Sequence, residues 1–276
     1  MLTRHIQVLQ KRFRPLLEFL DDMNDKNIGV MAAGIAYFTL LAVFPAITAV
    51  VAIALFFMTP QHIQHVMTSL DTYMPHEIVR LVGAQLRAQA GHSSSLVVAV
   101  VAVIISLFGA SGAIENTMKA LNVAYERRET RSWWRLKLRS MALTIGVLIQ
   151  VIVVAGLLLS SHTQLEHWGV ASWLAHMVSW LRWPVIIGAI NITFLLLYHF
   201  GANRERTQLH IMTVGSATAT AAWLLATVGI FWYAGNVANF GHTYGFLAGI
   251  IVLLIWMNIS ATVLLLGALI DQRRQR

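Results

Sequence analysis

Three amides sit where a chain crossing a bilayer can least tolerate them. Gln150, Asn191 and Asn258 each lie near the middle of a long apolar stretch. An amide in hydrocarbon has no water to bond, so each must find a partner inside a helical bundle. Tyr37, Thr39 and Thr48 in the first stretch, and Ser216, Thr218, Thr220 and Thr227 in the fifth, supply hydroxyls that could extend them into a polar seam. Pro45 removes a backbone donor and is expected to kink the first stretch near its middle. With Glu115 and Asn116 at the end of the second stretch, these residues outline a path for the headgroup of an amphipathic substrate. The competing expectation is that each amide only joins two helices, a contribution of ~1 kcal/mol. No carboxylate lies at mid-span, so Glu115 is the nearest acid, and Lys119 follows it in the order that favours a helical ion pair.

Other chemistries have less to stand on. His62, His65, His76, His92, His162, His167, His176 and His242 fall between or beside the apolar stretches, and His62 and His65 are one helical turn apart. Without cysteine or a nearby carboxylate pair, no metal site is expected there. Gly109-Ala110-Ser111-Gly112 lacks the Lys-Ser/Thr ending of a phosphate-binding loop, and Ser93-Ser94-Ser95 reads as a loop before a span. The sequence therefore points to no catalytic residue, no cofactor and no enzyme.

The elements that must position these residues are six apolar stretches, at roughly 30–58, 95–114, 140–161, 183–201, 211–233 and 246–269. Each approaches the ~20 residues that cross a bilayer core, and none has Lys, Arg, Asp or Glu well inside it. The expected fold is all-α: a polytopic membrane bundle of six transmembrane helices with amphipathic interfacial helices. If the chain crosses six times, only Arg80, Arg87 and Arg182 of the 20 Lys and Arg fall on one face. By the positive-inside rule the other face, with both termini, is cytoplasmic. The organisation reads as a cytoplasmic amphipathic segment over 1–27, a membrane domain over 28–270 and a basic tail over 271–276.

A 57% hydrophobic and 12% charged composition with mean hydropathy +0.66 is that of a membrane protein. The pI of 10.3 comes from segments flanking the spans, which points to anionic lipid rather than nucleic acid. The densest basic segment, expected as a loop, holds Arg127, Arg128, Arg131, Arg135, Lys137 and Arg139 beside Trp133 and Trp134. It is expected to bind anionic headgroups, with arginine forks on phosphate and indoles at the interface. Trp168, Trp173, Trp180 and Trp183 would form the aromatic belt of the opposite face. Leu9, Phe13, Leu16, Leu17 and Leu20 give the N-terminal segment an apolar side, and residues 59–94 suggest two short amphipathic helices around Pro75. Gly241, Gly245 and Gly249 lie along one helical stripe, where another helix could approach closely, a second copy of the chain included.

Four blocks carry a resemblance. They are Ala32-Ala33-Gly34-Ile35-Ala36-Tyr37-Phe38 on to Phe44-Pro45; Gly112-Ala113-Ile114 with Ala120-Leu121-Asn122-Val123-Ala124-Tyr125, Glu129 and Trp133-Trp134-Arg135; Leu197-Tyr198-His199-Phe200 with Asn203-Arg204; and Tyr244-Gly245 with Leu264-Leu265-Leu266-Gly267-Ala268. In this order and spacing, from about residue 28 onward, the chain resembles the YihY/virulence factor BrkB family of bacterial inner-membrane proteins, once labelled ribonuclease BN. Leu269 stands where that family often has Glu, and Thr207-Gln208-Leu209-His210 lacks an aromatic residue before the fifth stretch. The resemblance implies a six-span inner-membrane protein and suggests transport, including lipid-related transport. Two functions follow as expectations: a transporter or flippase-like protein for an amphipathic or anionic substrate, or a non-transporting envelope scaffold.

Overall fold

A computed structural model describes residues 17–57, 96–159, 172–203, 212–236 and 246–274, with residue 14 and isolated positions at 68, 79–80 and 83–84. Six long helices make up nearly all of it: α1 (Ile28–Phe57), α2 (Leu96–Ala124), α3 (Trp133–Leu159), α4 (Ser172–Leu196), α5 (Val214–Asn236) and α6 (Phe246–Arg274). There is no strand among the described residues. A π-helical turn, Leu197–Gly201, ends α4. Parts of α1, α3 and α6, most of α5, and α4 with its π turn are long and apolar enough to cross a bilayer. The fold is an all-helical membrane bundle, and α2, at 29 residues, matches the others in length.

Each helix packs on its neighbours in sequence, and α6 closes on α1 while also touching α2. The six thus form a closed circuit in chain order. Among helices adjacent in sequence, packing is densest between α1 and α2 and between α5 and α6, and sparsest where α4 meets α3 and α5. The core explains the dense side. Ala32, Ala120, Ala124, Ala219, Ala261 and Ala268 are buried with Ile28, Leu121, Tyr198 and Leu265. In lipid, apolar side chains gain little from meeting one another, so small residues that let backbones approach closely hold helices together.

Two glycines take this to its limit. A Cβ on Gly215 would overlap the Gly267 carbonyl oxygen, and one on Gly267 would overlap the Tyr198 hydroxyl and the Gly215 carbonyl. Gly109 does the same more mildly on α2, its Cβ position 3.3 Å from Cγ of Pro45. The small-residue run at 109–112 therefore serves close packing, and α2 continues unbroken through it. α1 likewise continues without a break through Pro45.

The helix ends revise the sequence boundaries. α2 runs ten residues beyond its apolar stretch, to Ala124, and α3 starts at Trp133, so the basic segment divides into a short loop with Arg127, Arg128 and Arg131 and the first turns of α3 with Arg135, Lys137 and Arg139. α2 ends with Glu126 in the left-handed region at φ 55°, and Arg127 N donates to Asn122 O at 2.7 Å while Glu126 N donates to Val123 O at 3.0 Å. This is the paired-bond ending usually built on glycine. A non-glycine residue costs of order 1 kcal/mol there. Lys26 opposes that cost: its ammonium is 3.0 Å from the Glu126 carboxylate and donates to Ala124 O at 3.3 Å. α4 starts at Ser172, inside what the sequence suggested was an aromatic outer loop, and α6 runs to Arg274, past the expected tail boundary.

Candidate functional site

The mid-span amides do not meet in one seam. The Thr193 hydroxyl on α4 donates to the Gln150 amide oxygen on α3 in a very short bond. Two residues earlier on α4, Asn191 Nδ2 donates to Thr220 Oγ1 at 3.1 Å and Ser216 Oγ at 3.3 Å, both on α5. These hydroxyls spend their own protons on α5 carbonyls, Thr220 on Ser216 O at 2.8 Å and Ser216 on Thr213 O at 3.0 Å. α4 thus holds α3 by one neutral polar pair and α5 by another, at the sparsest contacts between helices adjacent in sequence. Between α5 and α6 indoles do the joining: Trp223 Nε1 donates to Ser260 Oγ at 2.9 Å and Trp256 Nε1 to Thr227 Oγ1 at 3.1 Å. Asn258 is half-buried on α6, and its side chain makes no hydrogen bond among the described residues.

The remaining expected seam residues lie elsewhere. Tyr37 is 56% exposed, in line with Val30, Leu41 and Phe44 on a face that turns away from the bundle. Thr39 bonds back to Ile35 O at 2.7 Å, and Asn116 bonds back to Gly112 O at 2.8 Å, each within its own helix. Glu115 receives Lys119 at 2.8 Å, as its spacing predicted, and also lies 3.8 Å from Lys137. The side chains of Thr48 and His176, the other outer-segment histidines, Gly241 and Gly245 lie outside the described residues, and only Gly249 of the glycine stripe is placed, half-buried near the start of α6.

The opposite pattern appears at the end of the bundle where the basic residues gather. Arg131 grips Glu129 with both arms of its guanidinium, at 2.7 and 2.6 Å. The same guanidinium donates to Gly201 O at 2.9 Å and Phe200 O at 3.4 Å, two carbonyls that the π turn leaves open at the end of α4. Asn122 on α2 donates to Glu129 at 2.7 Å and accepts Asn203 N at 2.6 Å. Asn203 in turn donates to Arg128 O and Thr130 Oγ1 at 2.9 and 2.8 Å. Burial alone would raise the Glu129 carboxyl, but hydrogen bonds from the Arg131 side chain and N–H, its charge and the Asn122 amide together hold it below 4.5, its ordinary value.

Three further fastenings complete this latch. Asp271 near the end of α6 accepts Gly215 N at 2.7 Å and Thr213 Oγ1 at 2.6 Å, an anion capping the start of α5. Tyr198 donates to Leu264 O at 2.8 Å. Arg273 is 2.6 Å from Asp22 in the helical segment over 17–25, so the expected basic tail is bound to the expected lead-in. Leu269, standing in the place of the family's Glu, is fully buried.

The basic segment is divided by these contacts. Arg131 and Lys137 turn inward, Lys137 with its ammonium 3.0 Å from Phe108 O and 3.8 Å from the centre of the Phe108 ring. Arg127, Arg128, Arg135 and Arg139 stay exposed, beside exposed Trp133 and Trp134. Sequence reasoning set these six cations together as one lipid surface. The signal that separates them is helical: Lys137, Ser140 and Thr144 recur on the buried face of α3.

The family model described as Virulence factor BrkB matches residues 19–276. The putative ribonuclease-like protein YfkH of Bacillus subtilis is 26% identical over 257 residues, 88% of this chain and 90% of that protein. The UPF0761 membrane protein Mpe_A1422 of Methylibium petroleiphilum is 24% identical over 96% of this chain and 61% of its own length. The UPF0761 membrane protein VV0203 of Vibrio vulnificus is 24% identical over 89% of this chain and 77% of its own. This chain therefore spans less than two thirds of the Methylibium relative. No solved structure matches. A model match over nearly the whole chain, on a bundle of long apolar helices, makes this a multi-pass integral membrane protein of the virulence factor BrkB family.

Proposed function

We propose that this protein moves an amphipathic substrate with an anionic headgroup, of the lipid class, across the bacterial inner membrane, and that the contacts of α4 with α3 and α5 are where the bundle parts to admit it. The observation that supports this is the placement of the neutral pairs Gln150–Thr193 and Asn191–Ser216/Thr220 at the sparsest contacts between helices adjacent in sequence, beyond a firmly fastened end. Each pair is worth ~1 kcal/mol, so substrate groups can replace it at little cost. The positive-inside rule assigns the fastened end, with both termini, to the cytoplasm. A reporter fused after Arg276 tests that orientation, and a periplasmic signal overturns it. Hydrolysis has less support. Glu115, Glu126, Glu129, Asp22 and Asp271 are each bonded within the chain, so the ribonuclease-like name of the Bacillus relative is not carried over.

The test is translocation in proteoliposomes, with headgroup-labelled anionic and zwitterionic phospholipid and a membrane-impermeant quencher. Purified wild type should speed inward movement of the anionic probe, and Gln150→Leu should slow it without unfolding the protein. Equal rates in protein-free and protein-containing vesicles contradict the proposal. A second reading, a non-transporting scaffold, draws on the same bonds: two of the three amides are satisfied pairwise, as static glue would be.

A further inference from the structure

We infer that the outward face of the first two turns of α3 is a binding site for a single anionic phospholipid, with Arg135 and Arg139 on its phosphate and Trp134 and Leu138 beside the start of its acyl chains. The inference needs the chain to span a membrane, not to transport, so its failure and that of the proposed translocation are separable.

Arg135 and Arg139 are four residues apart, so they stand one above the other on the same side of the helix. Both are exposed, and neither has an ion pair among the described residues. The nearest acids in sequence are already engaged, Glu126 by Lys26 at 3.0 Å and Glu129 by Arg131 at 2.6 Å. Two guanidinium groups are thus left without an anion on a membrane-facing surface, where planar donor forks fit phosphate well. Trp134 and Leu138, 68% and 64% exposed, are spaced four apart on the adjoining strip. Trp133 packs edge-on against Trp134 at 4.5 Å between ring centres, fixing one indole at headgroup level. Arg139 lies four residues, about 6 Å, farther along the helix than Arg135, and helical side chains lean back toward the N-terminus. Its long stem can therefore snorkel to the level that Arg135 occupies. Beyond them the same face continues as exposed Ile145, Ile149 and Ile152, a track for acyl chains. Arg131 and Lys137, turned inward, are not part of this site.

Native mass spectrometry in detergent, with phosphatidylglycerol or phosphatidylcholine titrated in, tests it. Wild type should retain phosphatidylglycerol in preference to phosphatidylcholine, and Arg135→Gln/Arg139→Gln should weaken phosphatidylglycerol binding roughly ten- to thirty-fold. Arg127→Gln/Arg128→Gln should change it much less. Inorganic phosphate should fail to displace the lipid, because it cannot use Trp134 and Leu138. An unchanged melting temperature shows that the double variant is folded, and if a double variant does not fold, the single Arg139→Gln and Trp134→Ala variants take its place. Undiminished phosphatidylglycerol binding by the folded variants, or equal loss in both arginine pairs, overturns the site. Displacement by inorganic phosphate would also overturn it, in favour of a free-anion site.

Discussion

The start and the middle of α3 are held in opposite ways. At its start, charged and polar groups meet in a network whose members come from loops and helix ends, Arg131 with Glu129 and Asn122 with Asn203, and Lys137 adds a bond to the mid-helix Phe108 carbonyl. Toward its middle, one neutral bond from Thr193 to Gln150 joins it to α4. The difference follows from where backbone groups go unpaired. Helix ends leave carbonyls and N–H groups open, and Arg131 and Asp271 bond them at Gly201 and Gly215. Along a helix middle the backbone groups are already paired within the helix, so side chains do most of the joining, and where a mid-helix carbonyl is used, as Leu264 O is by Tyr198, it accepts a second bond. Charge pairs with several partners are costly to break singly, whereas a neutral pair can be exchanged. The basic end therefore reads as a fixed base, and the α3–α4–α5 contacts as the part free to rearrange.

The largest break in this contrast should come from crowding the base. Gly267→Leu places a side chain where the Tyr198 hydroxyl and the Gly215 carbonyl already stand. A loss of about 3 kcal/mol or more is expected, visible as a fall in monodisperse yield and melting temperature. Next comes Arg131→Gln, which leaves Glu129 without its ion partner and two π-turn carbonyls without donors. About 2 kcal/mol of destabilisation is expected, less than for a fully buried pair because Glu129 is partly exposed. A measured loss as small as that at the seam would remove the distinction between the two regions.

Acid should weaken the base selectively. The Glu129 carboxyl is held below 4.5 in the folded protein, so its contribution is fully present above that value. It is lost as pH falls from there through the depressed folded value. Glu129→Gln should flatten that part of the stability–pH curve, measured by thermal melts across acidic buffers. At the seam, Gln150→Leu or Thr193→Val should cost under about 1 kcal/mol, yet change translocation several-fold. Tyr37→Phe should alter neither stability nor translocation by a measurable amount, since Tyr37 faces away from the bundle.

The helices themselves were legible in the sequence. Apolar length and the alternation of basic residues foretold six long helices and the gathering of basic groups at one end, because both follow from the bilayer alone. Helix ends were not, since α2 continues past its apolar stretch on Ala120, Leu121 and Ala124, which pack the core with no sign in hydropathy. The latch was legible only as pieces. Asn122, Glu129, Tyr198, Asn203 and Gly267 all belong to the blocks that carry the family resemblance, but nothing local says that Asn122 meets a residue 81 positions away. Hydroxyls on the adjacent helix supply the partners expected for Gln150 and Asn191, while the Asn258 side chain bonds none among the described residues. Their expected convergence with Tyr37 and Asn116 failed because exposure turns one outward and a backbone carbonyl takes the other.

The central claim is that the base stays fixed while the α3–α4–α5 side moves. The chain has no cysteine, so spin labels can be placed without removing native thiols. One pair of labels at Asp25 and Met212 spans the base, and another at Ile149 and Leu225 spans the seam, all at exposed positions. Distance distributions measured by electron–electron double resonance in liposomes should be single and narrow for the base pair. For the seam pair they should be broad or two-peaked, shifting when anionic lipid is added. Equally narrow distributions for both pairs, with no response to lipid, would contradict the account.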